Sequence, residues 1–250
     1  MPHDSPILPE FVNWPTFPFE GHLRVKRVDA PAAEEPPRQG EDPSTCQACL
    51  ASDDAYIWVA DRWRVRALDR PTGLPIVLIL ESRSHLDLGD LPNLLAAELG
   101  VMTVRLERAI RSLHGIARVH VNRWGDGSAH LHLWFLARPF GQLQLRGTFL
   151  SLWDDILPAV PEAQWRENLA MVAAWLAEFG GRALVEPPRI DWQAPSRFEK
   201  GTTEVVDAGV LGSSLEGPIG AATPDSRHAS ENGSVVSRPA DADPTGSDVA

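Results

Sequence analysis

Cysteine is scarce in this chain of 250 residues, which holds only Cys46 and Cys49. Two cysteines three positions apart cannot form the disulfide framework typical of small secreted proteins. No run approaches the ~18 apolar residues that a membrane-spanning helix needs, and no basic run suggests binding to nucleic acid. These absences favour a globular protein whose partners are neither a membrane nor nucleic acid.

Charge is unevenly distributed along the chain. Residues 1–50 carry eight acidic and four basic side chains, and residues 201–250 carry eight acidic and two basic ones. The middle of the chain, 51–200, is nearly neutral, so the two ends together carry −10 of the net charge of −11. The opening Met-Pro-His-Asp lacks the basic and apolar regions of a signal peptide, and we expect a cytoplasmic location.

Composition divides the chain into three parts. Residues 1–45 are rich in proline and are expected to form an extended arm, with one short strand in the alternating stretch 17–28. Residues 46–195 hold the periodic patterns of a folded domain. From 196 to 250 the chain has few bulky residues, so it cannot bury enough apolar surface to offset the entropy of ordering. We therefore predict a disordered acidic tail there.

The middle of the chain alternates between strand and helix patterns. A long amphipathic helix of about six turns is predicted from a cap at Asp90 and a start at Pro92 to a stop at Gly115. A second helix covers 162–179, and strands are predicted over 56–60, 63–68, 76–80, 116–121 and the stretch that follows Gly127. This order predicts an α+β fold with a mainly antiparallel sheet, a long helix and a C-terminal helix.

The most informative stretch runs from Gly125 to Arg138, where a Gly-rich turn leads into an apolar alternating strand. Residues two apart in a strand share a face, so His130 and His132 are expected to point the same way, with Trp134 next in line. Two imidazoles on one rigid face could bind a metal, attack phosphorus, or divide these two roles.

Cys46 and Cys49 provide half of a tetrahedral zinc site, since a Cys-x-x-Cys pair is a common zinc knuckle. They are equally compatible with two ordinary reduced cysteines. A thioredoxin-like redox role fits less well, because the pair follows a proline-rich coil rather than a βαβ pattern. Of the eight histidines, His85 at the end of a predicted strand and His130 remain as partners that could complete the site.

The segment from Gly125 to Arg138 resembles the signature of the histidine triad superfamily of nucleotide hydrolases and transferases, in which His-x-His-x-His is followed by two apolar residues. The match is ungapped and the resemblance extends over about 46–140, where the cysteine pair, His85, the long helix and Asn122 follow in the family's order. It implies a histidine triad-like fold and a homodimer that pairs through its sheets.

The resemblance is to the zinc-binding bacterial branch, which is related to galactose-1-phosphate uridylyltransferase. It implies a structural zinc ion held by Cys46, Cys49, His85 and His130. The family's nucleophile is the middle histidine, here His132, which would attack the α-phosphorus of a nucleotide or dinucleoside polyphosphate and form a nucleotidyl-histidine intermediate. The residues implied to surround the substrate are Asn122, Gly125, Asp126, Gly127, Ser128 and Trp134.

Two positions depart from the family pattern. Trp134 replaces the third histidine, and its indole can donate one hydrogen bond but carries no charge. Asp126 stands where the family more often has a neutral glutamine, and a carboxylate repels phosphate. Three hypotheses follow: a nucleotide hydrolase or nucleotidyltransferase, a catalytically weak or inactive nucleotide-binding or interaction protein on the same scaffold, and an unrelated zinc-dependent enzyme in which His130 and His132 bind a catalytic metal.

Overall fold

Ten regular elements make up the part of the chain that the structure, a computed structural model, describes, which is residues 7–186. All of these residues belong to one unit of the chain, Met1–Gln193. In chain order the elements are α1 (Gln47–Leu50), β1 (Trp58–Val59), β2 (Trp63–Ala67), β3 (Val77–Ser82), α2 (Asn93–Arg111), β4 (Ile116–Asn122), β5 (His132–Pro139), α3 (Leu150–Ile156), α4 (Glu162–Ala177) and β6 (Arg182–Ala183). Short 3-10 turns stand between several of them.

The strands form one six-stranded sheet in the order β4-β5-β3-β2-β1-β6. Every neighbouring pair is antiparallel. The central strand β3 is buried at all six residues, which explains its continuous apolar sequence. The predicted α+β fold class with a mainly antiparallel sheet is therefore confirmed.

The two faces of the sheet differ in what covers them. Phe135 of β5 joins the main core beneath α2 and α4. Trp134 and Leu136 alternate with it and contact a smaller apolar cluster on the opposite face, beneath α3. His132 lies on this second face with Trp134, directly across from Glu81 of β3. The second face is the one that carries the polar groups of the site.

The long helix α2 forms because apolar residues return every three or four positions, and its buried stripe includes Leu99, Met102 and Leu106. Its predicted cap is wrong. Asp90 instead closes the 3-10 turn Leu88–Asp90, where its carboxylate accepts a hydrogen bond from the Asp87 N–H. The helix begins after Pro92, whose ring suits the boundary of a helix, and ends at Arg111.

The strand predicted within residues 17–28 is wrong, because this part of the arm forms no strand. Its backbone pairs with no sheet edge, and Val28 is 96% exposed. The alternating apolar side chains of this stretch therefore have no core to pack against. Aromatic contacts anchor the arm instead. The Phe17 ring lies 5.2 Å from that of Phe149, and the Trp153 indole donates to the Thr16 carbonyl over 2.8 Å.

Two other predictions concern the C-terminal tail and membrane-spanning helices. The disordered tail predicted over 196–250 lies outside the described residues. Within residues 7–186, none of the helices combines the length and the apolar character needed to cross a membrane.

Candidate metal centre and nucleophile site

The four predicted metal ligands lie together at one end of the sheet. Cys46 caps α1 and Cys49 lies within it, His85 follows β3, and His130 precedes β5. Their ligand atoms all lie within 4.8 Å of one another. Three separate parts of the chain thus meet at one point, which an ordinary pair of reduced cysteines would not require.

Three sulfur-to-nitrogen distances within this cluster match those of a tetrahedral zinc site. The Cys46 sulfur lies 3.5 Å from His130 Nδ1, and the Cys49 sulfur lies 3.6 Å from the same atom and 3.4 Å from His85 Nδ1. Zinc bonds of ~2.3 Å to sulfur and ~2.0–2.1 Å to nitrogen give tetrahedral edges of about 3.5–3.6 Å. The four residues therefore fit one zinc ion.

Hydrogen bonding orients His130 as a metal ligand. Its Nε2 atom lies 2.7 Å from the Ser82 carbonyl oxygen, which can only accept, so Nε2 carries the proton. The Nδ1 lone pair is then directed at both sulfurs, as the outer partner of a zinc-bound imidazole requires. Burial lowers the pKa of His130, partly opposed by the Ser82 carbonyl, and this favours the neutral ring.

The cysteines have the chemistry of a site that binds a cation. Burial, followed by the neighbouring Cys46, raises the pKa of the Cys49 thiol to about 11. A bound divalent cation reverses this preference because it stabilises the thiolate. All four coordination positions are supplied by protein side chains, so no position is open for a catalytic water. The cluster is a Cys2His2 site of the structural type.

A buried arginine supports the knuckle that carries the cysteines. Arg64 of β2 donates to the Ala48 carbonyl over 2.7 Å and to the Ala51 carbonyl over 3.3 Å. Its guanidinium stacks 4.2 Å from the centre of the Tyr56 ring. Tyr56 in turn donates over 2.9 Å to Glu81, which lies opposite His132 in the sheet. The knuckle is thereby connected to the central strands.

The N-terminal arm completes the site from another side. The Gln39 N–H donates to the Gly127 carbonyl, and the Gln39 carbonyl accepts from Ala129, which forms an isolated parallel bridge to Ser128. Gly40 follows with a φ of +71°, and a Cβ there would lie 2.9 Å from the Cys46 Cα. Glycine is required at this position by both the backbone angle and the close approach.

An ion-pair clamp holds the Gly-rich turn to the arm. Asp87 accepts from Arg38 at 2.6 Å and also from Arg123, and Arg38 donates to the Gly125 carbonyl over 3.1 Å. Burial opposes ionisation of Asp87, but the hydrogen bonds from the two guanidinium groups outweigh it and lower the pKa to about 2. The turn is therefore fixed at both its start and its end.

His132 lies outside the metal cluster and between two backbone carbonyls. Its Nδ1 atom is 2.6 Å from the His130 oxygen, and its Nε2 atom is 2.9 Å from the Trp124 oxygen. Strand β5 begins at His132, so the prediction that His130 belongs to the same strand is wrong. The side chain of His130 belongs to the metal cluster instead. The third hypothesis, a catalytic metal bound by both histidines, loses its support.

The predicted substrate-binding residues lie at the end of β4, in the turn that follows it and on β5. Among residues 7–186, the N–H groups of the turn 125–128 donate to no protein acceptor, so four consecutive donors are available. Asn122 ends β4 directly across from Trp134, and the Trp134 ring makes an edge contact with Trp124 at 5.8 Å. Asp126 is exposed, at the outside of the turn.

Sequence reasoning missed the residues that hold the site together. Arg64 had a readable signal, because a charged residue that interrupts an apolar strand predicts a buried charge with specific partners. Gln39 and Asp87 had none, since a polar residue in a coil does not reveal a partner far away in the sequence. The short helix α3 was also missed, because seven residues are too few to establish a helical period.

The fold and the site define an α+β domain with a Cys2His2 centre and an adjacent free histidine. No protein-family model and no curated protein matches the chain. Similar solved structures include a zinc-bound histidine triad family protein from Mycobacterium smegmatis, with a TM-score of 0.40 and 20% identity, covering 55% of this chain and 96% of that one. Another is a hypothetical histidine triad nucleotide-binding protein from Sulfolobus tokodaii, with a TM-score of 0.36 and 12% identity, covering 50% and 85%. At this similarity the function rests on the residues of the site.

Proposed function

We propose that the protein is a nucleotide hydrolase or nucleotidyltransferase of the histidine triad type, with His132 as the nucleophile. The observation that supports it is the link from His130 to His132. The carbonyl of His130, whose side chain belongs to the metal centre, lies 2.6 Å from His132 Nδ1. Because a carbonyl only accepts, Nδ1 keeps the proton and Nε2 keeps the lone pair. The contact at Nδ1 is the shorter of the two carbonyl contacts of His132, and it supports the tautomer that a nucleophile needs.

The reaction would proceed in two displacements at one phosphorus. Nε2 of His132 attacks the α-phosphorus, and a P–N bond forms as the P–O bond to the leaving group breaks. Water or another hydroxyl then attacks the same phosphorus, and the P–N bond breaks to release the imidazole. The free N–H groups of residues 125–128 would bind the phosphate oxygens. Bound zinc would hold His130 and the knuckle in place without an open coordination position.

The substrates that we propose are nucleotides and dinucleoside polyphosphate-like molecules. The turn 125–128 and Asn122 supply neutral hydrogen-bond donors rather than several positively charged side chains. This set of donors suits one or two phosphates near the reacting atom. Trp134 would contact the nucleotide through its ring or its indole N–H. The proposed acceptor is water or another hydroxyl or phosphate group, as in the uridylyltransferases that the sequence resembles.

The direct test is covalent labelling. Protein is incubated with labelled dinucleoside polyphosphates, adenosine 5′-phosphoramidates and UDP-sugars, and an acid-labile nucleotidyl-protein is sought after rapid quenching. We expect an adduct on the wild type and on His114→Asn, an exposed histidine control, and none on His132→Asn. An adduct that survives in His132→Asn would overturn the proposed nucleophile.

A second candidate, a nucleotide-binding protein without turnover, is favoured by one observation. The Trp124 carbonyl lies 2.9 Å from His132 Nε2, the atom that would attack phosphorus. Trp134 adds to this, because an uncharged indole cannot neutralise the developing charge on phosphate. Nucleotide binding by calorimetry together with no adduct on any of the three substrate classes would establish this second function.

We also propose a homodimer and a cytoplasmic location. Strand β4 forms one edge of the sheet, with no strand beyond it among residues 7–186, and such an edge can pair with a second copy. Two unpaired cysteines suit a reducing compartment. Light scattering should give twice the chain mass for the wild type and a smaller mass for Val121→Lys on the edge strand. A monomeric wild type would overturn the dimer.

A further inference from the structure

A cavity of about 390 Å³ lies between the edge strand β4 and the start of α3, where Gly147, Thr148, Leu150 and Ser151 line it. Its polar lining comes from His120, Asn122, Thr148 and Ser151, and Trp124 closes one side. Its volume falls in the ~300–1,000 Å³ range of small-molecule sites. Thr148 and Ser151 belong to a stretch outside the segment that resembles the histidine triad family, so the resemblance assigns them no role.

The polar groups of this cavity are available to a ligand. Within residues 7–186, the side chains of His120, Asn122, Thr148 and Ser151 make no hydrogen bond to another protein group. They offer two hydroxyls, an amide and an imidazole, which can both donate and accept. Burial, followed by the nearby Arg138, lowers the pKa of His120, and this favours its neutral form.

The lining contains no Asp, Glu, Lys or Arg, so this cavity offers neither the carboxylates of a metal site nor an ion-pair partner for a charged ligand. Leu150 and the Trp124 ring supply the apolar part. An aromatic face together with neutral donors and acceptors suits a ring that bears several hydroxyls, because each hydroxyl needs both kinds of partner. A purely apolar ligand would leave these four polar groups unpaired.

The cavity is connected to His132 through Trp124. The backbone carbonyl of Trp124 contacts His132 Nε2, while its side chain lines the cavity. Asn122 lines the same cavity and lies across from Trp134, the next residue on the face of His132. A group bound in the cavity would therefore be adjacent to a phosphate held at the turn 125–128.

We propose that this cavity binds a neutral, hydroxyl-bearing ring that is joined to the reacting phosphate, either a ribose or a hexose. This rests on the proposed function for the phosphate itself, whereas the ring site stands on its own contacts. Thr148 and Ser151 would then determine which phosphoesters the protein accepts.

The experiment uses neutral rings without phosphate, so that its result does not depend on His132. Binding of methyl ribofuranoside and methyl glucopyranoside to the full chain is measured by saturation-transfer NMR. Ser151→Trp should fill the cavity and abolish binding, whereas Leu152→Trp, which places the same side chain at an exposed position of α3, should preserve it. The ring that binds more tightly to the wild type identifies the source.

A milder variant guards against misfolding. The double variant Thr148→Val, Ser151→Ala removes two hydroxyls with little change in volume, and we expect about tenfold weaker ring binding from two lost hydrogen bonds. Equal binding of both rings to wild type, Ser151→Trp and the double variant would overturn the ring site, as would no binding to the wild type. Failure of the His132 adduct with intact ring binding would overturn the proposed reaction alone.

Discussion

The Nε2 atom of His132 lies 2.9 Å from the carbonyl oxygen of Trp124. Since Nδ1 already faces the His130 carbonyl, a neutral ring cannot donate to both oxygens, and its free lone pair meets a carbonyl oxygen. A nucleophile in this position can attack only after the turn moves. If His132 is the nucleophile proposed above, the backbone at Trp124 therefore has to move before Nε2 can attack.

Trp124→Ala should expose Nε2 of His132. The substitution removes the edge contact between the rings of Trp124 and Trp134, which is of a kind that contributes about 0.5–1.5 kcal/mol. We expect modification of His132 by diethyl pyrocarbonate, followed by mass spectrometry, to accelerate about threefold to tenfold. The exposed His114 of the same sample serves as the internal control. An unchanged rate at His132 would mean that the indole does not hold the carbonyl in place.

Removal of one ligand should release the zinc ion. Cys46→Ser and His85→Ala each leave three ligands, and we expect the metal content by mass spectrometry to fall well below one zinc per chain. The melting temperature should fall with it, because structural zinc stabilises the folded state. His132→Asn and His114→Asn should keep the full zinc content. Zinc loss in His132→Asn would contradict the separation of His132 from the cluster.

Asp87→Asn should destabilise the protein in a pH-dependent manner. The pKa of Asp87 is about 2 in the folded state, below the ~3.9 of an unfolded chain, so its contribution is present above pH ~4 and is lost as the pH falls towards 2. We expect a loss of about 2 kcal/mol in the free energy of unfolding at neutral pH, measured with urea. The difference from the wild type should shrink as the pH approaches 2. A difference that does not depend on pH would contradict the ionised clamp, and Asp155→Asn, an exposed acid of α3, provides the comparison.

Trp134→His should raise turnover if the protein is a nucleotide hydrolase or nucleotidyltransferase. The substitution restores a donor that can carry positive charge beside the phosphate, and removal of one such donor typically costs ~10²–10³ in rate. We expect about a 10²-fold gain in nucleotide hydrolysis for Trp134→His. Trp134→Phe keeps an aromatic ring without a polar atom and should show no gain. Equal rates for a folded Trp134→His and the wild type would favour the binding protein without turnover.

The cysteine pair could be predicted from the sequence because its spacing is local information, whereas the full ligand set with His85 and His130 came from the resemblance to the histidine triad superfamily. Cys46 and Cys49 lie in one short knuckle, and His85 stands directly behind an apolar strand whose end is easy to locate. The helix predicted over 162–179, observed as Glu162–Ala177, could be predicted for the same reason, because its apolar residues recur at helical spacing within the segment itself. In each case the constraint acts over a few residues.

The supporting contacts could not be predicted because they join distant parts of the chain. Gln39 meets Ser128 across 89 positions by backbone pairing, and backbone groups carry no residue signature. The false strand at 17–28 is the converse case: its alternation is real, but no neighbouring edge exists to make it a strand. The position of Trp124 over His132 likewise depends on the path of a turn, which composition does not specify.

The bridge between Gln39 and Ser128 restricts the length of the chain around it. Gln39 and Cys46 are seven positions apart and contact Ser128 and His130, which are only two apart. The intervening residues 40–45 form a fixed loop that folds back at Gly40. An insertion or deletion there would misplace either the arm or a metal ligand, whereas residues 28–35 lie in an exposed stretch that should accept length changes. Shortened proteins and N-terminal fusions should therefore keep Arg38 and everything after it. The functional unit thus begins eight residues before the first cysteine, Cys46.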